Sequence, residues 1–231
     1  FDHFVIEVVA FAGAFTHAGE HREARVLDGD VCSRYQTAIA TAGGAPIVAY
    51  RGHTRDEVRD IRSVSLREGR GSRPRVVSPD NWRINACPVN GPSLVADGQR
   101  AAVAWYTSAT SPKVWLAFSD DAGGAYGAPI RIDDGRPIGR PSLALLPDSR
   151  AMKTAVIWLE HAEVGARLRL RVVSPATGAS EPITVANVPA SRSVGFPRVV
   201  TANDRLVIAW TSDVGITTST VAFALLPVPI R

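Results

Sequence analysis

Four short stretches of this 231-residue chain end alike: Ile47-Val48-Ala49-Tyr50, Val103-Ala104-Trp105, Val156-Ile157-Trp158 and Val207-Ile208-Ala209-Trp210. Their closing aromatics stand 55, 53 and 52 residues apart. Each stretch follows a second short apolar run and a turn. The runs are Thr37-Ala38-Ile39-Ala40, Pro92-Ser93-Leu94-Val95, Pro141-Ser142-Leu143-Ala144 and Pro197-Arg198-Val199-Val200. The turns carry Gly43-Gly44, Asp97-Gly98, Pro147-Asp148 and Asn203-Asp204. Gly, Asn and Asp accept the positive φ that tight hairpin turns demand. A repeat of about 54 residues is the size of one four-stranded antiparallel blade. The chain therefore reads as all-β, a β-propeller forming a single domain over residues 1–231. Its 19 glycines and 16 prolines mark the turns and argue against a helical bundle.

Residues 36–80, 91–134 and 140–187 each supply a whole blade, and residues 196–227 supply three strands. Residues 1–28 read as the outer half of a blade, with strands near Phe4 to Phe11 and Arg22 to Leu27. Arg25-Val26-Leu27-Asp28-Gly29 parallels Arg131-Ile132-Asp133-Asp134-Gly135. Two blade counts follow. If the N-terminal strand completes the last blade, four or five blades close a small ring. Otherwise the chain is the C-terminal part of a longer propeller, which its start at Phe1, inside a blade, favours.

A second hairpin type lies between these pairs. The clearest runs from Val114-Trp115-Leu116-Ala117-Phe118 to Ala128-Pro129-Ile130-Arg131-Ile132 through Ser119-Asp120-Asp121-Ala122-Gly123-Gly124-Ala125-Tyr126. Asp in such a turn can bond its own backbone N–H groups, and Gly supplies a left-handed residue. The turn resembles the Asp-box (BNR repeat), S-x-D-x-G-x-T-W, of sialidase-like β-propellers. Ser119, Asp121 and Gly123 match, Tyr126 replaces the tryptophan, and Ala125 departs from threonine. Eroded copies sit in phase at Ser65 and Ser174, with Arg67 and Ala176 at the Asp position. Residues 30–231 also resemble a group of bacterial sialidase-like proteins, through Glu57-x-Arg59-Asp60-Ile61, Ala86-Cys87-Pro88-Val89-Asn90-Gly91-Pro92 and Asp134-Gly135-Arg136-Pro137-x-Gly139-Arg140. The resemblance implies a six-bladed ring, which would need about 90 residues more than this chain at the same repeat length. It makes the Asp-box a structural element remote from any catalytic face. Where the group is close to C-x-C-C, this chain reads Cys32-Ser33-Arg34-Tyr35.

Charge excludes little. There are 26 basic and 22 acidic residues, and 24 of the basic ones are arginine, spread along the chain. A nucleic-acid binder would cluster them on one face, so no nucleic-acid partner is expected. No apolar run approaches the ~18–20 residues of a membrane span. Cys32 and Cys87 lack zinc-finger or CxxC spacing. They stay open as a disulfide, as two buried thiols, or as a metal or redox site; an oxidising compartment would favour the disulfide. The expected setting is periplasmic or extracellular.

Propeller chemistry sits on the loops leading into first strands, here residues 32–35, 79–91, 134–140 and 191–198, with residues 51–60 as a further candidate. A sialidase clamps a carboxylate with three arginines, because bidentate guanidinium pairs fix orientation. It also uses a Tyr/Glu nucleophile pair and an Asp acid/base. The candidates are Arg59, Arg140 and Arg198 for the clamp, Glu57 with Tyr35 or Tyr50, and Asp60. The plainer alternative makes Arg59–Asp60 and Arg136–Asp134 loop-bracing ion pairs. Trp82, in polar Asp80-Asn81-Trp82-Arg83, reads either as an exposed anchor beside Arg83 or as packing between blades. Arg51 and Arg136 complete the binding candidates. His17 and His21 are four apart but not on a helix, and His3, His53 and His161 are scattered, so no metal or other cofactor is expected. The first function implied is an exported, non-catalytic binding or assembly module that presents its mouth loops to a protein or glycan. The alternative is an exo-sialidase-type glycoside hydrolase.

Overall fold

The computed structural model describes residues 4–8, 25–31, 36–68, 70–147, 151–191, 194–214 and 218–228. Two N-terminal strands, β1 (Phe4–Val8) and β2 (Arg25–Val31), pair antiparallel as a ribbon. Blade 1 comprises β3 (Ala38–Ala42), β4 (Ala45–Arg51), β5 (Ile61–Arg67), β6 (Arg70–Gly71) and β7 (Arg75–Val76). Blade 2 comprises β8 (Ser93–Asp97), β9 (Arg100–Thr107), β10 (Lys113–Ser119) and β11 (Ile130–Arg131). Blade 3 comprises β12 (Pro137–Leu146), β13 (Lys153–His161), β14 (Ala166–Ser174), β15 (Gly178–Ala179) and β16 (Ile183–Val188). Blade 4 comprises β17 (Arg198–Ala202), β18 (Arg205–Val214) and β19 (Thr218–Pro227). Every pairing is antiparallel. In blades 1 and 3 the fourth strand is broken into two short pieces that pair with the third.

Strand alternation builds the stack, because successive side chains point to opposite faces. In β9, Val103 and Trp105 pack toward Ile47, Ala49 and Ile61 of blade 1. Ala102 and Ala104 turn the other way, toward Val156 and Trp158 of blade 3. Blade 3 meets blade 4 through Ile157 and Leu159 against Val199, Leu206 and Ile208. Three of the recurring aromatics are fully buried, Trp105 and Trp158 between blades and Tyr50 under the N-terminal ribbon. A large apolar side chain buried this completely contributes roughly 1.5–3 kcal/mol of transfer free energy.

The N-terminal strand does not complete the last blade. β1 pairs with β2, and the ribbon packs on blade 1, where Leu27 and Val31 meet Val48, Tyr50 and Val64. The physical reason is mutual cover, since this face of blade 1 is apolar and no other described strand lies on it. Among the described residues, no helix is long and apolar enough to cross a membrane.

Candidate functional site

Register places the functional loops at one end of the blades. Ala38 pairs with Ala49, so the 52–60 connection lies beside the start of β3. Ser93 pairs with Ala104, which sets the end of β9 beside the 77–92 connection. The turn at Ser119 lies at the opposite end, because Ser119 pairs with Ala101. There Ser119 Oγ accepts from Gly123 N at 2.9 Å, and Asp121 accepts from Ala125 N at 2.8 Å. These local bonds, the Ala125 one first, hold the Asp121 carboxyl below its usual range.

Arg51 organises the mouth. Its side chain is fully buried. Nη1 donates to Arg59 O at 2.6 Å, Nη2 to Asn90 O at 2.9 Å and to Tyr106 O at 2.6 Å. One guanidinium thus ties the 52–60 loop, the blade 1–2 connection and the end of β9. It also lies 4.9 Å from the centroid of the Trp82 ring, which meets Tyr106 edge-on at 5.7 Å. Asn90 extends the network. Its Nδ2 donates to Ile138 O at 3.2 Å, and its Oδ1 accepts from Arg140 N at 2.9 Å. Arg140 Nη1 then reaches Gly195 O at 2.5 Å, with the guanidinium 5.2 Å from the Phe196 ring. Hydrogen bonds therefore link the mouth loops from blade 1 to blade 4.

Carboxylates, Asp28 and Glu160 buried and Asp80 half-buried, form a second layer. Three aromatic rungs each donate to one: Tyr50 OH to Asp28 at 2.7 Å, Trp105 Nε1 to Asp80 at 2.6 Å and Trp158 Nε1 to Glu160 at 2.9 Å. The first two carboxyls shift in opposite directions. Burial pushes Asp28 up, but the Asp30 N–H, the Tyr50 hydroxyl and Arg62, 2.9 Å away, together hold it below the usual range. Burial pushes Asp80 up, the charge of Asp60 adds to this, and the Trp105 bond does not reverse it. Asp60 is likewise raised by burial, despite N–H bonds from Asn81 and Trp82 and the charge of Arg51. Glu160 accepts the backbone N–H groups of Asp134 and Arg136, both at 3.0 Å, and so braces the loop into β12.

Left-handed non-glycine residues occur at both ends of the blades. Glu57 (φ 62°) and Asn81 (φ 56°) lie on mouth loops, and Arg140 (φ 57°) lies in the irregular first part of β12. Glu68, Ala122 and Asn203, the other three, sit in hairpin turns at the far end. Such residues persist only where the surroundings over-determine them, and they concentrate at functional sites.

The candidate residues fare differently. Arg59 is buried, but its ion pair is with Glu57 and not Asp60; its Nε donates to Ala86 O at 3.1 Å. Asp60 instead accepts from Trp82 N at 3.2 Å. Glu57 is held below the usual carboxylate range, chiefly by the Arg59 bond, and lies 3.4 Å from His53. Asp134 pairs with Arg169 and Arg171, reached across the sheet, and not with Arg136, which is exposed. Trp82 is buried, not an exposed anchor, because the Arg51 guanidinium and Tyr106 enclose its ring. Arg51 is spent on backbone carbonyls. Arg83 is exposed and donates to Asp56 O at 3.2 Å. Arg198 is exposed on the face of blade 4 turned from blade 3, in one row with Ala209 and Phe223. The three clamp arginines therefore do not converge. Tyr35 and Cys32 lie outside the described residues, and Cys87 is disulfide-bonded. Among the described residues, no group of three or more His, Cys, Asp or Glu is placed to hold a metal.

Asn90 and the carboxylates Asp28, Asp80 and Glu160 are absent from the candidates drawn from the sequence. The parallel between the Asp28 and Asp133–Asp134 segments was the available signal, since it marks a carboxylate at each entry to a new blade.

No family model matches the chain, and no curated protein does. Solved structures match it in fold. A native arabinanase from Bacillus subtilis superposes with a TM-score of 0.50 at 14% identity, over 82% of this chain and 70% of that one. A protein of unknown function from Dyadobacter fermentans gives 0.54 at 14% identity, over 80% of this chain and 50% of that one. An endo-arabinase from Bacteroides thetaiotaomicron gives 0.50 at 14% identity, over 84% of this chain and 74% of that one. At such identity the likeness is one of fold, the antiparallel-bladed propeller. The sialidase-like resemblance rests on the sequence motifs alone.

Proposed function

We propose that this chain is an exported, non-catalytic β-propeller module that binds a glycan at its mouth. The observation that carries the reading is the network by which Arg51 and Asn90 tie the 52–60 loop, the blade 1–2 connection, the end of β9 and the start of β12. That tied rim presents His53, Glu57 and Arg83, polar groups suited to hydroxyls. The candidate clamp arginines Arg59 and Arg140 are occupied by the protein's own carbonyls, which argues against an exo-sialidase site. The structural neighbours named as arabinanases make a neutral pentose polymer the first ligand to try. A periplasmic or extracellular setting fits the disulfide at Cys87.

The test is calorimetric titration of the full chain with arabino-oligosaccharides, in parallel with a reducing-sugar assay. Binding without release of reducing ends, weakened about tenfold or more in Glu57→Ala, is the expected result. No binding to any oligosaccharide of a broad panel would overturn it. A hydrolytic reading draws on buried Asp60 and half-buried Asp80, both carboxyls held toward the protonated form as an acid catalyst requires. Reducing-sugar release that Asp60→Asn abolishes would replace the binding reading with that one. Sialoside turnover lost in Arg140→Ala would do the same for the sialidase.

A further inference from the structure

The third strand of blade 4 differs from its counterparts. β5, β10 and β14 are each paired on their outer side by the short strands of the same blade. β19 pairs with β18 along its length, and no described strand pairs its other edge. An unpaired edge is a template for another chain, and natural proteins guard such edges with charge, proline or bulges. The covered strands carry charge: Arg62 and Arg67 on β5, Lys113 on β10, and Arg167, Arg169 and Arg171 on β14. The bare strand carries none until Pro227 closes it, reading Thr-Ser-Thr-Val-Ala-Phe-Ala-Leu-Leu-Pro.

Among the described residues, its apolar side chains also form the most exposed group of large ones. Val221 is 79% exposed, Phe223 69% and Leu225 48%, with Val200 beside them at 57%. They alternate with Ala222, Ala224 and Leu226, which are half-buried. The pattern is its own complement. With Phe223 as centre, an antiparallel copy sets Phe223 against Phe223, Val221 against Leu225 and Ala222 against Ala224. Over Val221 to Leu225 the large side chains then share one face and the two alanines the other, as cross-strand pairing favours, while Leu226 on the alanine face meets Thr220. A shift by one residue would set large against small and lose the match.

We propose that two copies of this chain pair through β19, antiparallel about a two-fold axis at Phe223. The two three-stranded sheets become one of six strands. Val221, Phe223 and Leu225 each gain an apolar neighbour that no described strand supplies. The contact is isologous, so it closes at two copies.

Light scattering coupled to size exclusion tests this on the full chain. Wild type should run at about twice 24.6 kDa at micromolar concentration, and Phe223→Lys at the single-copy mass with unchanged circular dichroism. Cysteine crosslinking then reads the register on non-reducing gels, against a wild-type control. Phe223→Cys should crosslink to itself. Val221→Cys alone should not, but should crosslink when mixed with Leu225→Cys. A single-copy mass for wild type at every concentration would overturn the proposal, including the case where β19 amides resist hydrogen exchange because a different strand covers them. So would a dimer that survives Phe223→Lys, or Val221→Cys crosslinking to itself as well as Phe223→Cys does.

Discussion

The boundary between blades 1 and 2 and the free face of blade 4 are built from the same kind of strand, yet they differ in everything that seals a sheet. At the boundary, Ile47, Ala49 and Ile61 meet Val103 and Trp105 with no exposure. Above them Arg51 closes the loops with bonds to three backbone carbonyls. On blade 4, Val200, Val221 and Phe223 are more than half exposed. The aromatic at the rung position, Trp210, is half-buried, and among the described residues no carboxylate takes its indole proton. A blade's own hydrogen bonds therefore do not make a propeller rigid. Apolar cover on both faces and the polar ties at the mouth do, and they are concentrated where the candidate site lies.

The sharpest way to break the contrast is Trp105→Ala. It removes a fully buried ring and the indole bond to Asp80, and should cost about 3–5 kcal/mol in denaturant unfolding. A cost near that of a surface change would mean the boundary is not sealed as described. Next comes Arg51→Met, which keeps volume but strands three carbonyls; a loss of about 3 kcal/mol is expected. Val200→Thr on the free face should stay within about 0.5 kcal/mol.

Two rungs of the same architecture should also answer pH with opposite sign. Asp80 is raised above its unfolded value, so its share of stability is present below the unfolded pKa and lost as pH rises through the folded one. Asp80→Asn should gain on wild type as pH climbs from about 4 toward neutrality. Asp28 is lowered, so its share is present above the unfolded pKa and lost as pH falls through the folded one. Asp28→Asn should be the less stable at neutral pH and approach wild type in acid. Urea unfolding across pH 3–8 checks both; parallel curves for the two variants would show that burial at Asp80 and the bonds from Asp30, Tyr50 and Arg62 at Asp28 do not set the difference.

The repeating part of this fold is legible in the sequence because it has a period. Alternation and hairpin turns located β3–β4, β8–β9, β12–β13 and β17–β18, and the spacing of Tyr50, Trp105, Trp158 and Trp210 set the blades. The mouth has no period, so its assembly was not legible. Trp82 reads as exposed because Asp80, Asn81 and Arg83 flank it, but the loop folds back and buries the ring under a guanidinium from another segment. Arg59 and Asp60 are adjacent in the chain and reach different partners, because neighbouring side chains on an extended segment point apart. Arg198 shows the value of parity. Val199 packs against blade 3, so its neighbour had to face the other way.

Hydrogen–deuterium exchange of the full chain, with and without saturating arabino-oligosaccharide, tests the mouth assignment most directly. The account predicts slowed exchange in residues 52–60 and 79–92, and no change in the far-end turn at residues 119–129. Protection confined to that far-end turn, or to the face of blade 4, would contradict it.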